Sequence, residues 1–174
     1  MMKALLIMFC LLLGACAGPD VRHYQQQQPA LDLVQFFSGQ TEAWGTFQKR
    51  DGEVVKRFHV LLTGTLQGDR FVLDEDFTYS DGSKQKRVWT LRQQAGGQWT
   101  GTADDIKGEA QGQIAGNALN WKYTMLLPVD GSVYEVQFDD WMFLIDQKTM
   151  INRASMSKFG WQLGEVTLFF RKKD

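Results

Sequence analysis

The chain has 174 residues, 44% hydrophobic and 13% aromatic, with 19 Lys and Arg against 20 Asp and Glu. That near-neutral balance leaves no basic stripe and excludes a nucleic-acid partner. The only cysteines, Cys10 and Cys16, both lie near the start, and the only histidines are His23 and His59. A disulfide framework, a thiolate metal site and a multi-histidine centre are therefore excluded for everything downstream.

In chain order, Lys3 forms a short positive region, and residues 4–13 make an uninterrupted apolar run. Such a run suits a secretory leader and falls well short of the ~20 residues of a membrane-spanning helix. It ends in Leu13-Gly14-Ala15-Cys16, which resembles the lipobox of bacterial lipoproteins. The resemblance implies that residues 1–15 are removed and that Cys16 receives diacylglycerol and palmitate. One acyl chain holds a protein to a bilayer only marginally, whereas the several chains of a lipobox cysteine make a permanent anchor. Ala17 stands where inner-membrane lipoproteins carry Asp, so the same resemblance points to the periplasmic face of the outer membrane. Residues 16–30 include Gln25-Gln26-Gln27-Gln28-Pro29 and few large apolar side chains, and read as a flexible acylated tether.

Residues 31–174 are long enough for one domain with a single core. Residues 30–37 are the only candidate helix of any length, with Leu31, Val34 and Phe37 on one face. After it the apolar period is 2 almost everywhere. Phe58, Val60, Leu62 and Leu66 alternate with Arg57, His59, Thr63 and Thr65, and Leu119, Trp121, Tyr123, Met125 and Leu127 alternate with Asn120, Lys122 and Thr124. Turn pairs such as Asp51-Gly52, Gly68-Asp69, Asp81-Gly82, Gly116-Asn117 and Asp130-Gly131 separate these runs. About ten strands are predicted, near 43–50, 54–66, 70–79, 84–94, 98–103, 109–115, 118–127, 132–145, 149–157 and 161–171. An antiparallel meander of that many twisted strands closes on itself, because closure removes the edges. The expected fold is all-β: an antiparallel up-and-down β-barrel, lipocalin-like in shape, with Phe58, Leu73, Trp89, Trp121 and Met125 facing one interior.

The most informative anomaly is a carboxylate on an apolar face. Glu75 lies in phase with Phe71, Leu73, Phe77 and Tyr79, and the next strand offers Arg87, Trp89 and Leu91. A three-residue loop Asp81-Gly82-Ser83 would set Phe77 opposite Arg87 and Glu75 opposite Trp89, with Glu75 and Arg87 meeting diagonally. A buried carboxylate needs such a partner. The pair reads as a structural ion pair, as polar groups facing a ligand, or as a catalytic carboxylate. Asp140 sits in phase with Tyr134, Val136, Phe138, Met142 and Leu144, but Trp141 and Phe143 make the opposite face apolar too. A bulge near Asp139-Asp140 would re-aim one of them, with Asn152 and Arg153 as partners. Residues 101–112 hold Asp104, Asp105 and Glu109 but lack the alternating ligand spacing of a calcium loop, and read as an acidic turn. His59 lies on the polar face and reads as a surface residue. The 6 Trp and 12 Phe fill a core or line a pocket.

Several stretches also resemble the DUF3833 family of proteobacterial lipoproteins: residues 73–82 (LDEDFTYSDG), 101–105 (GTADD), 138–142 (FDDWM) and 156–160 (MSKFG). The resemblance covers nearly all of residues 31–173 and implies a periplasm-facing domain without an established activity. Ala43-Trp44-Gly45 replaces the Gly-x-Trp of true lipocalins, so that likeness is one of shape alone.

Three classes of function fit. The first is a binder of a lipid or fatty-acyl ligand, with Glu75, Tyr79, Arg87, Trp89, Trp99, Trp121, Tyr123, Asp140 and Asn152 as candidate ligand-binding residues. The second is an envelope assembly lipoprotein with a solid barrel and a protein partner. The third is a lipid-modifying enzyme acting through Glu75 or Asp140. No cofactor and no metal is called for.

Overall fold

The computed structural model describes residues 18–174; the leader and Cys16 lie outside the described residues. Ten strands form a closed antiparallel barrel in which each strand pairs with its sequence neighbours and the last pairs with the first. They are β1 (Gly39–Lys49), β2 (Val54–Gln67), β3 (Arg70–Tyr79), β4 (Lys84–Gln93), β5 (Gln98–Thr102), β6 (Ala110–Ala115), β7 (Ala118–Val129), β8 (Ser132–Leu144), β9 (Thr149–Lys158) and β10 (Trp161–Lys172). The alternation explains the wall: Val60, Leu62, Phe71, Leu73, Trp89 and Leu91 turn inward, and their sequence neighbours turn out. β1 starts at Gly39, earlier than its pattern suggests, because Gln40, Thr41 and Glu42 are polar yet pair with β2.

Two glycines make room for one ring, Gly101 for Leu91 as well. The Trp121 indole lies flat across β5 and β6, where a Cβ at Gly101 or Gly112 would collide with its ring. Both positions therefore trade strand propensity for close approach.

One end of the barrel carries the turns after β1, β3, β5, β7 and β9. The other carries the remaining turns and is plugged by α1 (Leu33–Phe37). The helix is shorter than the predicted 30–37. Asp32 caps it by accepting from the Gln35 N–H at 2.9 Å, and Leu31 is outside it, its N–H donating to the Gly116 carbonyl. Leu33, Phe36 and Phe37 are buried, while Val34 is only partly so. The Lys172 ammonium donates to the Phe36 and Ser38 carbonyls at 2.9 and 2.6 Å, a cation placed at the negative end of the helix.

The segment read as a flexible tether is docked on the barrel at residues 21 and 24, while most of its other side chains are exposed. A 3-10 turn, Val21–Tyr24, buries Val21 against Ala115 and Ala118. The Tyr24 ring meets Phe143 edge-on at 5.1 Å and Trp141 at 6.0 Å. Composition misled here because the segment has few large apolar residues, and Val21 and Tyr24 are the two that dock. The same contact replaces the bulge expected near Asp139-Asp140: β8 pairs with β7 and β9 without a register shift. Trp141 and Phe143 face outward, and the N-terminal segment covers them.

Candidate functional site

The barrel encloses a cavity of about 910 Å³, within the ~300–1,000 Å³ typical of small-molecule sites. Leu33 and Phe37 of α1 form its floor, and Lys56, Ser83, Lys84, Asp104, Pro128 and Val133 line the opposite end. Phe58, Leu73, Trp89, Trp121 and Met125 all line it, so the expected common interior is present. The Trp89 ring stands edge-on to Trp121 and to Tyr123, both at 5.6 Å, and Tyr123 stacks on Phe138 at 5.0 Å.

Partway along this apolar lumen lies a cluster of polar side chains. Glu75 on β3 stands directly opposite Arg87 on β4, with Oε2 3.7 Å from Nη1. The diagonal register expected from the sequence is therefore corrected by two residues. The turn closes between Tyr79 and Ser83, whose backbones bond at 2.9 Å, so the loop is Ser80-Asp81-Gly82 with Gly82 last at φ 83°. A three-residue hairpin loop places its left-handed residue at the third position, where glycine is unstrained. Parity is unchanged, so both side chains still face inward.

Arg87 has a stronger partner that the sequence did not indicate. Its Nε donates to Asp105 Oδ1 and Oδ2 at 3.0 and 2.9 Å, and its Nη2 donates to Oδ2 at 2.8 Å. β5 and β6 are short, leaving the wall between β4 and the distal half of β7 to the β5–β6 connection. That connection bridges to β7 at Ile106–Met125, and the Leu126 N–H donates to the Asp105 carbonyl at 2.8 Å. The acidic turn is thus pinned into the wall with Asp105 aimed at Arg87. Among the described residues no three His, Cys, Asp or Glu side chains converge on a metal-sized site.

Burial pushes the Glu75 carboxyl up to about 7, against the pull of Arg87. Burial works against the Arg87 charge as well, but Glu75 and Asp105 outweigh it and hold the guanidinium above its ordinary value. Across the ring, Asp140 on β8 is 7% exposed. Its Oδ2 accepts from the Tyr123 hydroxyl at 3.3 Å, and Oδ1 has no donor. Burial pushes this carboxyl up to about 7 too, opposed by the Tyr123 hydrogen bond and Arg87. Tyr123 is itself raised well above its ordinary value, by burial first and by Asp140 second.

Asn152 also lines the cavity, but its amide donates to the Trp141 carbonyl at 3.3 Å, leaving Oδ1 unpartnered. Arg153 points outward and pairs with Glu165 at 2.7 Å, so neither residue partners Asp140 as expected; its one hydrogen bond comes from Tyr123. Tyr79 lines the cavity and donates to Gln85 Oε1 at 2.7 Å. Trp99 is buried in the wall but is not part of the lining. Glu75, Tyr79, Arg87, Trp89, Trp121, Tyr123, Asp140 and Asn152 are brought to one space, joined by Asp105. His59 lies outside, 3.5 Å from Glu42.

Residues 10–172 match a sequence family described as a protein of unknown function, DUF3833. No curated protein matches the chain. Among solved structures, the S-type phycobiliprotein lyase CPES from Guillardia theta superposes with a TM-score of 0.61 at 5% identity, over 90% of this chain and 99% of that one. A DUF3598-family protein of unknown function from Nostoc punctiforme PCC 73102 gives 0.60 at 13% identity, over 91% of this chain and 53% of that one. At such identities the likeness is one of fold.

Proposed function

The chain belongs to the DUF3833 family, and from that membership and its cavity we propose that it is a membrane-tethered binder of one small hydrophobic molecule, a lipid or fatty-acyl compound. The observation that carries the reading is the lumen itself: about 910 Å³, apolar along most of its wall, with a few fixed polar groups at one level. A barrel serving only as a scaffold fills its interior with side chains, because unfilled apolar volume costs stability.

In this reading acylation at Cys16 anchors the protein to the outer membrane's periplasmic face. Residues 21–24 dock beside the β6–β7 turn, at the plugged end. The anchor then holds α1 toward the bilayer and directs the mouth away from it. Such an orientation suits receipt of a ligand from a soluble donor or a facing surface rather than extraction from the membrane below.

The test is titration with N-phenyl-1-naphthylamine, a neutral fluorescent probe, read by its own emission and by quenching of Trp89 and Trp121. Saturable binding at one probe per chain is expected. A linear, non-saturating response would show that the lumen does not open to ligands.

A second reading, docking to an envelope partner, is favoured by one observation. Phe159 and Trp161 on the β9–β10 turn are 87% and 69% exposed, with the Lys158 ammonium 5.3 Å from the Phe159 ring centre. Large exposed aromatics on one turn mark a contact surface.

A further inference from the structure

The polar groups of the lumen are unbalanced in charge and in hydrogen-bonding type. Three carboxylates, Glu75, Asp105 and Asp140, face one guanidinium, Arg87. Asp105 takes Arg87 with three short contacts, leaving Glu75 the 3.7 Å approach of Nη1 and the Trp89 indole N–H as its polar neighbours. Asp140 has one long hydrogen bond from Tyr123. The free polar atoms are Asp140 Oδ1 and Asn152 Oδ1, both buried and both acceptors. Glu75 and Asp140 line the same cavity, and Glu75 is near enough to act on both Asp140 and its hydrogen-bond partner Tyr123.

Buried acceptors need donors, and buried carboxylates need a cation or a proton. Arg87 has no bidentate face left to offer an incoming carboxylate. We propose that the lumen selects an amphiphile whose polar group is a cationic hydrogen-bond donor, a primary ammonium on an alkyl chain, seated between Glu75, Asp140 and Asn152, and that it rejects carboxylate-headed lipids. This rests on the ligand-binding reading and narrows it. The ammonium supplies three donors and no acceptor, which matches the two free oxygens and the under-paired Glu75. A fatty-acid carboxylate at the same level adds a third uncompensated negative charge and leaves Asp140 Oδ1 and Asn152 Oδ1 unpaired. The groups facing this level are Glu75 from β3, Arg87 from β4, Asp105 from the β5–β6 connection, Tyr123 from β7 and Asp140 from β8, while Tyr79 lies nearer the mouth beside Lys56. Lys56 and Lys84 stand farther out, at the mouth.

The experiment titrates the full-length protein in amphipol with decylamine, decanol and decanoate, which share one alkyl chain and differ only in the head. Tryptophan quenching and calorimetry report binding. Near neutral pH, decylamine is expected to bind at least about tenfold tighter than decanoate, with decanol between them. The preference should grow as pH rises through about 7, where Glu75 and Asp140 lose their protons; decanol binding should not follow pH. Asp140→Asn should remove most of the preference for the amine while preserving decanol binding, and Glu75→Gln provides a second variant should the first fold poorly. Decanoate binding as tightly as decylamine, and weakened by Lys84→Ala, would place the head at the mouth and overturn the proposal while leaving a ligand-binding lumen. No binding of any of the three would overturn the ligand reading itself.

Discussion

Replacing Arg87 with methionine removes the one cation of the buried cluster and keeps most of its volume. The guanidinium is 11% exposed and is shared between Asp105 and Glu75. Breaking a buried pair by removing one partner costs about 3–5 kcal/mol. Two features lower that figure here. Asp105 is 25% exposed and recovers part of its hydration. Glu75 already titrates at about 7, so near neutral pH it escapes the loss by taking up a proton. The expected destabilisation near neutral pH is therefore about 2–3 kcal/mol, most of it from the charge-assisted hydrogen bonds lost by Asp105. Above pH 7 the loss should deepen by about 1.4 kcal/mol per pH unit, as holding Glu75 neutral becomes costly. The assay is urea unfolding followed by tryptophan emission, with an unchanged denaturant slope as the check that only stability has moved. Adding Glu75→Gln should abolish the steep dependence above neutrality. A loss below about 0.5 kcal/mol, of the kind seen at surface positions, would show that Arg87 is solvated and that the cluster does not exist as described.

Three further outcomes are expected. Glu75 and Asp140 are both raised, from 4.5 and 3.8, to about 7, so the folded state holds more protons than the unfolded chain between those values. Stability should consequently fall as pH rises from about 4 to about 7, by on the order of 3 kcal/mol for Glu75 alone at 1.36 kcal/mol per unit, and then level off; denaturation midpoints that rise over this window would contradict the burial of the two groups. Gly112→Val drives a branched side chain into the Trp121 indole and should cost about 1–3 kcal/mol from overpacking, measured by thermal melting; an unchanged midpoint would mean that the ring does not lie on β6. Cys16→Ser should abolish metabolic palmitate labelling and shift the protein out of the membrane fraction, since a hydroxyl is a poor acceptor for diacylglycerol; undiminished label would end the lipoprotein reading.

The strand plan was legible because alternation and turn glycines say the same thing. Asp51-Gly52, Gly68-Asp69 and Asp130-Gly131 stand between runs of period 2, and β2, β3 and β8 begin where the turns release them. The inward phase of Glu75 and Asp140 was legible for the same reason. The pairing of Glu75 with Arg87 was not, because loops at residues 81–83 and 80–82 preserve the same parity. Only the rule that Gly82 must be the last, left-handed residue separates them. Asp105 was hidden for a different reason. Its turn looks like any acidic surface loop, and nothing local shows that the shortness of β5 and β6 makes it part of the wall. The docking of residues 21–24 left one trace in the pattern: Trp141 and Phe143, large aromatics on an outward face, need a cover. That trace was compatible with a bulge until the register of β8 excluded one.

Mass spectrometry of the intact protein, purified from cells that express it and kept under native conditions, tests most directly whether the lumen is a ligand site. Correction for the mass of any covalent modification is made from the same sample after denaturation. A second, non-covalent mass that leaves on unfolding, present at one copy per chain and lost when Met142→Trp fills the lumen, is the expected result. A native mass equal to the denatured mass across preparations, with tracer probe also excluded, would contradict the account and leave the barrel a scaffold.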